Sequence, residues 1–229
     1  MIKSGVLAAA LIFISQLSFA ASACVNDSLS RYIALGTTGC AIGTTTLFDF
    51  AALTGITGAT IVAPANIALS PFGTSDSPGL TTTVAVSATA GTLLEGIFTY
   101  RISGTAFGRS FLTLAGSSET GDGAVTGVKD FCAGGVFGPN GVSGCTGTPG
   151  ILLTLDGVQN ADSASFGPSR SLSVTDDFTI DGGTAGSASA GTLTNRFGTV
   201  PEPGTILLTF LGFGLTAGAR RKFIARRCS

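Results

Sequence analysis

Two apolar segments, residues 5–20 and 204–219, lie on either side of a region that contains all thirteen acidic residues of the chain. A water-soluble core can therefore form only from about 180 residues, 24–203, which is enough for one sizeable β domain. This region has six basic residues and a net charge of −7, although the net charge of the whole chain is only −1. An acidic domain is unsuited to nucleic acid, because nucleic acid requires a basic surface.

The first apolar segment has the features of a secretory signal peptide. Lys3 precedes it, and the small residues Ala21 and Ala23 follow it at the positions that signal peptidase requires. We therefore predict a signal peptide over residues 1–23, export by the Sec machinery and cleavage before Cys24. Two alternatives remain open: a retained transmembrane anchor, for which the segment is short, and lipid attachment to Cys24, for which a bulkier residue than Ala21 is usual.

The second apolar segment predicts a transmembrane helix over residues 204–219. Its sixteen residues would form a helix about 24 Å long, slightly shorter than the roughly 30 Å hydrocarbon core of a bilayer. Basic residues next to a membrane helix stay in the cytoplasm, so the cluster that follows predicts a membrane stop over residues 220–227 and a cytoplasmic C-terminus. The cluster consists of Arg220, Arg221, Lys222, Arg226 and Arg227.

A tetrapeptide with two prolines, Val200, Pro201, Glu202 and Pro203, comes directly before this helix. Its prolines hold the backbone extended and cannot continue a helix or a central strand. The tetrapeptide, the apolar helix and the basic cluster together, residues 200–227, resemble the PEP-CTERM sorting signal of Gram-negative bacteria. The resemblance implies that an exosortase, an integral-membrane cysteine transpeptidase, processes the chain near the Pro-Glu-Pro sequence. It also implies a membrane-anchored precursor, a mature form at the cell surface or outside the cell, and extracellular polysaccharide as a further partner.

Four of the five cysteines lie in the exported region, where Cys24 is near Cys40 and Cys132 is near Cys145 in the sequence. An oxidising compartment favours disulfides, and proximity predicts two local ones, although four cysteines allow three pairings. Cys228 lies beyond the basic cluster, on the predicted cytoplasmic side. Neither pair has C-x-x-C spacing and the chain contains no His, so no metal site and no cofactor are predicted.

Short runs of β-branched and aromatic residues between Gly, Pro, Asn and Asp predict a chain that is almost entirely β. The fold class is predicted as all-β, an antiparallel β-sandwich or jelly-roll-like domain over residues 24–199, flanked by the N-terminal signal helix and the C-terminal transmembrane helix. Within it, a short helix is predicted over 28–34, and turns at 77–79, 138–141 and 181–183. Strands are predicted over 44–50, 60–69, 80–88, 93–103, 109–114, 124–132, 150–155, 171–175, 177–181 and 192–197.

A second resemblance concerns the exported region itself. The sequence between Cys24 and Cys40, the Leu47–Phe50 strand, the Cys132 and Cys145 pair and the Asp-Gly-Gly-Thr-Ala sequence at 181–185 are similar to a group of exported β proteins that carry the same sorting signal. This similarity implies the pairings Cys24 with Cys40 and Cys132 with Cys145. It implies no biochemical activity.

The absence of His excludes Ser-His-Asp and Cys-His catalysis, and the low charged fraction of 11% supports a non-enzymatic protein. The first alternative is a carbohydrate- or ice-binding module, suggested by threonine runs at 44–46 and 81–83 that show no regular T-x-T ladder. The second is a secreted hydrolase that uses carboxylates such as Glu95 and Asp176. The acids at 176, 177 and 181 could also supply oxygen ligands to Ca²⁺, but their spacing favours a polar hairpin turn.

Overall fold

Fifteen strands and one short α-helix form the regular structure of the described residues, 21–53 and 58–200, in a computed structural model. Helix α1 is Leu29–Ala34, and a 3₁₀ turn covers Pro64–Asn66. The strands are β1 Ser22–Ala23, β2 Asp27–Ser28, β3 Cys40–Ile42, β4 Thr45–Ala52, β5 Thr60–Ile61, β6 Ile67–Thr74, β7 Ser77–Val84, β8 Ser87–Thr89, β9 Leu93–Ala115, β10 Ser118–Thr120, β11 Ala124–Ala133, β12 Thr148–Leu155, β13 Ala161–Asp181, β14 Ser187–Ser189 and β15 Thr192–Thr199.

Strand β9 is the centre of a curled, mostly antiparallel sheet of twelve strands. Strands β4, β15, β13 and the short β5 all pair with it, β13 pairs in turn with β11, and β11 with β12. The sheet continues from β15 through β7 and β6 to β2, and from β4 through β3 to β1. Strands β10, β14 and β8 form a separate three-stranded sheet. The all-β prediction is confirmed, whereas the sandwich or jelly-roll arrangement stays a prediction.

The core lies on one face of the long strands, where side chains alternate between buried and exposed. On β9, Phe98, Tyr100 and Ile102 are fully buried, while Thr99 and Arg101 between them are partly exposed. The same alternation places apolar side chains of β13 and β15 in the interior, and each buried Leu or Phe contributes about 1.5–3 kcal/mol. These side chains are Leu172, Val174, Phe178, Ile180, Leu193 and Phe197.

Several predicted strand boundaries were wrong, because glycine and proline occur within strands of this sheet as well as in the turns between them. The predicted strands 93–103 and 109–114 are one strand, β9, because the chain bends through the glycines at 104 and 108 without leaving the sheet. Likewise 171–175 and 177–181 belong to β13, which begins at residue 161 and contains two register shifts. Conversely, the 3₁₀ turn divides the predicted strand 60–69. The predicted turn 77–79 is the beginning of β7, whereas the helix prediction is confirmed by α1.

Two glycines of the sheet lie directly opposite phenylalanines whose rings cover them. Gly79 faces Phe72 between β7 and β6, and Gly150 faces Phe131 between β12 and β11. The Phe131 ring is buried and lies 5.1 Å from the Phe166 ring, centroid to centroid, so it has little room to move. A side chain at either glycine would occupy the space of the ring.

We expect Gly150→Ala to lower the free energy of unfolding by about 1–3 kcal/mol, because the new Cβ displaces the buried Phe131 ring. Urea denaturation followed by circular dichroism measures the difference. The matched control is Gly167→Ala on β13, where an added Cβ has no atom within 4 Å. Equal stability of the two variants would contradict the packing of Phe131 over Gly150.

Candidate functional site

The end of β15 holds the chain to the domain immediately before the predicted sorting motif. The Val200 N–H donates a hydrogen bond of 2.8 Å to the Ala106 carbonyl, and the Thr199 N–H donates one of 3.1 Å to the Asp76 carbonyl. The Thr199 hydroxyl donates a second bond of 3.1 Å to the same Asp76 oxygen. The chain is therefore anchored up to residue 200, the last described residue.

Most of the predicted sorting segment lies outside the described residues. Val200 is described, whereas Pro201, Glu202, Pro203, the predicted helix at 204–219 and the basic residues at 220–227 lie outside the described residues. Within residues 21–53 and 58–200, no helix has the length and apolar character to cross a membrane. A cut on the C-terminal side of residue 200 would leave all fifteen strands in one piece.

The two predicted disulfides are confirmed. Cys24 bonds to Cys40 and Cys132 bonds to Cys145, with S–S distances of 2.06 and 2.01 Å. Strand β1 pairs in parallel with β3, and the Cys24 N–H donates a 2.9 Å bond to the Ala41 carbonyl, which brings Cys24 beside Cys40. Residues 21–23 are described, with Ala23 in β1. Cleavage between Ala23 and Cys24 stays a prediction.

The Cys132–Cys145 disulfide closes a loop, residues 133–144, that packs on the outer face of β13. The Thr175 hydroxyl on that face donates a hydrogen bond to the Gly141 carbonyl of the loop. Within the loop, Asn140 Oδ1 accepts bonds from the Ser143 N–H at 3.0 Å and the Val142 N–H at 3.3 Å. The loop therefore covers the outer face of β13 at this point, and Thr175 is only 1% exposed.

A polar cluster lies inside the core, formed by Lys129 of β11, Asp176 of β13, Asn195 of β15 and Tyr100 of β9. All four side chains are fully buried. Lys129 and Asp176 are directly opposite each other in the β11–β13 pair. The Asn195 Nδ2 group donates a 2.8 Å hydrogen bond to Asp176 Oδ2, and Lys129 Nζ lies 3.8 Å from the centre of the Phe197 ring.

Burial shifts the pKa values of the cluster in the directions that favour uncharged side chains. It lowers the pKa of Lys129, against the attraction of Asp176, and it raises the pKa of Asp176, against Lys129 and the bond from Asn195. Burial and the nearby Asp176 carboxylate also raise the pKa of Tyr100. The Tyr100 hydroxyl lies near that carboxylate but forms no hydrogen bond with it.

Four polar atoms of the cluster have no hydrogen-bond partner within the described part of the chain: Tyr100 Oη, Lys129 Nζ, Asp176 Oδ1 and Asn195 Oδ1. A buried polar atom without a partner costs free energy, since it has lost its bonds to water. One of these atoms belongs to the Asp176 carboxyl group, and the other three belong to residues near that group. The cluster is thus the place in the core where polar groups are least satisfied by their surroundings.

The acids considered for hydrolysis or calcium binding do not converge on a surface cleft. Asp176 and Glu95 are 0% and 1% exposed, so neither presents a carboxylate to solvent. Asp177 follows Asp176 on the strand and points to the opposite face, where burial and Glu95 raise its pKa to about 6. Asp181 Oδ1 accepts a 2.8 Å bond from the Gly183 N–H within a turn. No three His, Cys, Asp or Glu residues of the described ranges are placed to hold a metal ion.

A threonine ladder does exist on the outer face of the sheet, contrary to the expectation from the sequence. Thr81 and Thr83 of β7 lie directly opposite Thr194 and Thr192 of β15. The hydroxyl oxygens of Thr81 and Thr194 are 3.4 Å apart, and all four side chains are partly exposed. Thr113 of β9 extends the row on the other side of Thr194. The sequence contains T-x-T at 81–83 and again at 192–194. The local sequence does not show that these two segments pair, because the pairing depends on the tertiary fold.

A shallow depression of about 500 Å³ adjoins this threonine ladder. Phe111 lies in it, with the Arg196 guanidinium carbon 4.6 Å from its ring centre. A guanidinium over an aromatic face is a favourable cation–π contact. The depression is also lined by Phe72, Thr113, Asp162 and Thr194.

Comparison with known proteins gives one informative match. No curated protein matches the chain. One solved structure, the enzymatically active domain of tailspike protein 4 of bacteriophage CBA120, is 12% identical with a TM-score of 0.22. That similarity covers 67% of this chain and 19% of the tailspike chain, so the chain spans about a fifth of it. Residues 199–222 match the PEP-CTERM protein-sorting motif.

The matched segment begins at Thr199, the last residue of β15, and includes the whole tetrapeptide and the first three basic residues. A motif of this kind implies export towards the cell surface and an exosortase as the processing partner. The chain therefore carries a PEP-CTERM protein-sorting motif, and its described β domain ends where this motif begins.

Proposed function

We propose that the protein is a non-enzymatic component of the cell surface or extracellular matrix, which an exosortase processes at or near Pro201, Glu202 and Pro203. The observation that carries the proposal is the position of the sorting motif, residues 199–222. It starts at the end of a strand that hydrogen bonds hold in the sheet up to Val200. An enzyme acting on the next residues would therefore act directly beside a folded domain.

The proposed route begins with Sec-dependent export and removal of residues 1–23 by signal peptidase. The helix at 204–219 then holds the precursor in the membrane, with the basic residues 220–227 on the cytoplasmic side. The disulfides Cys24–Cys40 and Cys132–Cys145 are consistent with an oxidising compartment for the domain. Processing releases the domain to the surface or to a polysaccharide matrix.

An epitope tag placed after Ser229 in a host with an exosortase tests this route. We expect the surface fraction to contain the β domain without the tag, and an exosortase deletion to leave a tagged, membrane-associated precursor. Replacing Pro201, Glu202 and Pro203 together by alanine should reproduce the deletion. The control Pro168→Ala changes an exposed proline of β13 and should be processed normally. A tag that stays on exported protein whether or not the exosortase is present contradicts the proposal.

The threonine ladder supports a second candidate, an ice- or carbohydrate-binding role for the β domain. Threonines two apart on a strand are about 7 Å apart, and those opposite each other about 5 Å, so Thr81, Thr83, Thr192 and Thr194 form a regular grid. We expect the exported protein to shape ice crystals or to bind on a glycan array. Thr81→Lys with Thr194→Lys should abolish the effect, whereas Thr148→Lys on β12 should keep it. No binding by the unmodified protein, or equal loss in both variants, counts against this role.

A further inference from the structure

The buried cluster of Lys129, Asp176 and Asn195 brings an amine, a carboxyl group and a carboxamide together in the core. The three residues come from strands β11, β13 and β15, and none of them is exposed. Export and sorting have no use for these groups. Packing would be served equally well by apolar side chains, since a buried charge pair rarely stabilises more than they do.

We propose that Lys129 and Asn195 join in an amide crosslink and that Asp176 transfers the protons of this reaction. The Lys129 amine attacks the Asn195 side-chain carbonyl carbon, so the bond from Nζ to Cγ forms while the bond from Cγ to Nδ2 breaks. Asp176 takes a proton from the attacking nitrogen and gives one to Nδ2, which leaves as ammonia. The carboxyl group is unchanged at the end. No oxidant, reductant or further reactant is needed.

The geometry around Asp176 supports this chemistry. Asn195 Nδ2, the atom that leaves, is already hydrogen-bonded to Asp176 Oδ2 at 2.8 Å. Lys129 is the cross-strand partner of Asp176 and interacts electrostatically with it, so the amine and the carboxamide lie on the same face of the sheet near one carboxyl group. Lys129 Nζ lies 3.8 Å from the centre of the Phe197 ring. Phe197 and Asn195 are two residues apart on the inner face of β15, so the amine is already beside that strand.

Burial prepares the three groups for reaction. It lowers the pKa of Lys129 and raises the pKa of Asp176, which favours the neutral amine that can attack and the neutral acid that can donate. The other titratable group of the cluster is Tyr100, and Asp177 acts on Asp176 from the opposite face of the strand. Lys129 Nζ has no hydrogen-bond partner among the described residues that would hold it away from the amide.

The crosslink would connect parts of the sheet that are not neighbours. Strand β15 pairs with β7 and β9, whereas β11 pairs with β12 and β13. A bond from residue 129 to residue 195 therefore crosses the interior and closes a long loop of the chain. It also replaces the buried Lys129 amine by an uncharged amide, while the Asp176 carboxyl group stays in the core. For a protein exposed outside the cell, it would oppose unfolding and proteolysis.

Tryptic peptide mapping of the full chain, recovered from the exported fraction and then reduced and alkylated, tests the proposal. Cleavage after every Lys and Arg would give separate peptides 110–129, 130–170 and 171–196. An amidated Lys129 resists trypsin, so we expect one branched species of 110–170 with 171–196, lighter by one ammonia, about 17 Da. These peptides are internal and do not depend on processing at either terminus.

Two results would overturn the proposal: unmodified 110–129 and 171–196 peptides from folded protein, or a crosslink that has lost water, about 18 Da, through Asp176 instead. The Asp176→Asn variant should give only linear peptides, whereas Asp181→Asn, on the same strand at an exposed position, should stay crosslinked. Full crosslinking in Asp176→Asn would overturn the role of the carboxyl group. If that variant does not fold, the map of the unmodified chain decides the question.

Discussion

Asp176→Leu is expected to be about 3–5 kcal/mol less stable than the double variant Lys129→Met with Asp176→Leu. The single change leaves the Lys129 ammonium in the core without its opposite charge, whereas the double change removes both charges and fills the space with apolar atoms. Neither variant can form the proposed amide, so the difference between them comes from the group at residue 129 and not from a crosslink. Urea denaturation of both proteins, at the same pH and with disulfides intact, gives this difference.

The same pair of variants should differ in pH dependence. In Asp176→Leu the pKa of Lys129 stays below its value in the unfolded chain, because burial lowers it and no carboxylate opposes the shift. Between the two values the unfolded chain binds more protons than the folded one, so stability rises with pH up to about 10.4. The double variant lacks this titration. If the free energies of unfolding of the two variants changed in parallel from pH 6 to pH 10, Lys129 would not be buried as an isolated charge in Asp176→Leu.

Cys132→Ser with Cys145→Ser is expected to lower the free energy of unfolding by about 3 kcal/mol, because the disulfide restricts the unfolded chain. A further loss of about 1 kcal/mol is expected from the hydrogen bond between Thr175 and Gly141, which depends on the closed loop. Denaturant unfolding measures the total, and hydrogen exchange of the β13 amides reports on the loop.

The matched control is Cys24→Ser with Cys40→Ser. The sequence separations are 16 for this disulfide and 13 for Cys132–Cys145, so the effects on the unfolded chain are nearly equal. The control should leave the exchange of the β13 amides unchanged, since its disulfide lies beside β1 and β3. The proposed role of the loop in covering β13 would be contradicted by faster exchange of the Thr175 amide in the control. It would also be contradicted by unchanged exchange of that amide in the Cys132→Ser and Cys145→Ser variant.

Features that depend on neighbouring residues could be predicted from the sequence. Disulfide pairing by proximity, the short helix and the sorting motif each depend on a continuous stretch of residues. The buried position of Asp176 was also available, because Val174, Phe178 and Ile180 alternate with it on one face of β13. The spacing of the acids at 176, 177 and 181 by itself suggests oxygen ligands or a polar turn, whereas alternation along the strand places residues 176 and 177 on opposite faces.

Features that depend on long-range pairing could not be predicted in this way. Nothing near Asn195 indicates that its carboxamide will meet Asp176, because the contact depends on the curl of the sheet between β13 and β15. The threonine ladder also requires β7 beside β15. Strand β9 could not be recognised as continuous, since glycines at a bend and glycines at a strand end look alike in the sequence.

Strand β15 is the last strand along the described chain, yet it lies between β7 and β9 in the sheet. During translocation the sheet must therefore stay open until residues 192–199 have emerged, and until then β7 and β9 expose two unpaired edges that can aggregate. The motif begins at the last of these residues, so the domain can close only when the motif itself reaches the membrane. During secretion, therefore, the domain can complete its sheet only as the processing site arrives at the membrane.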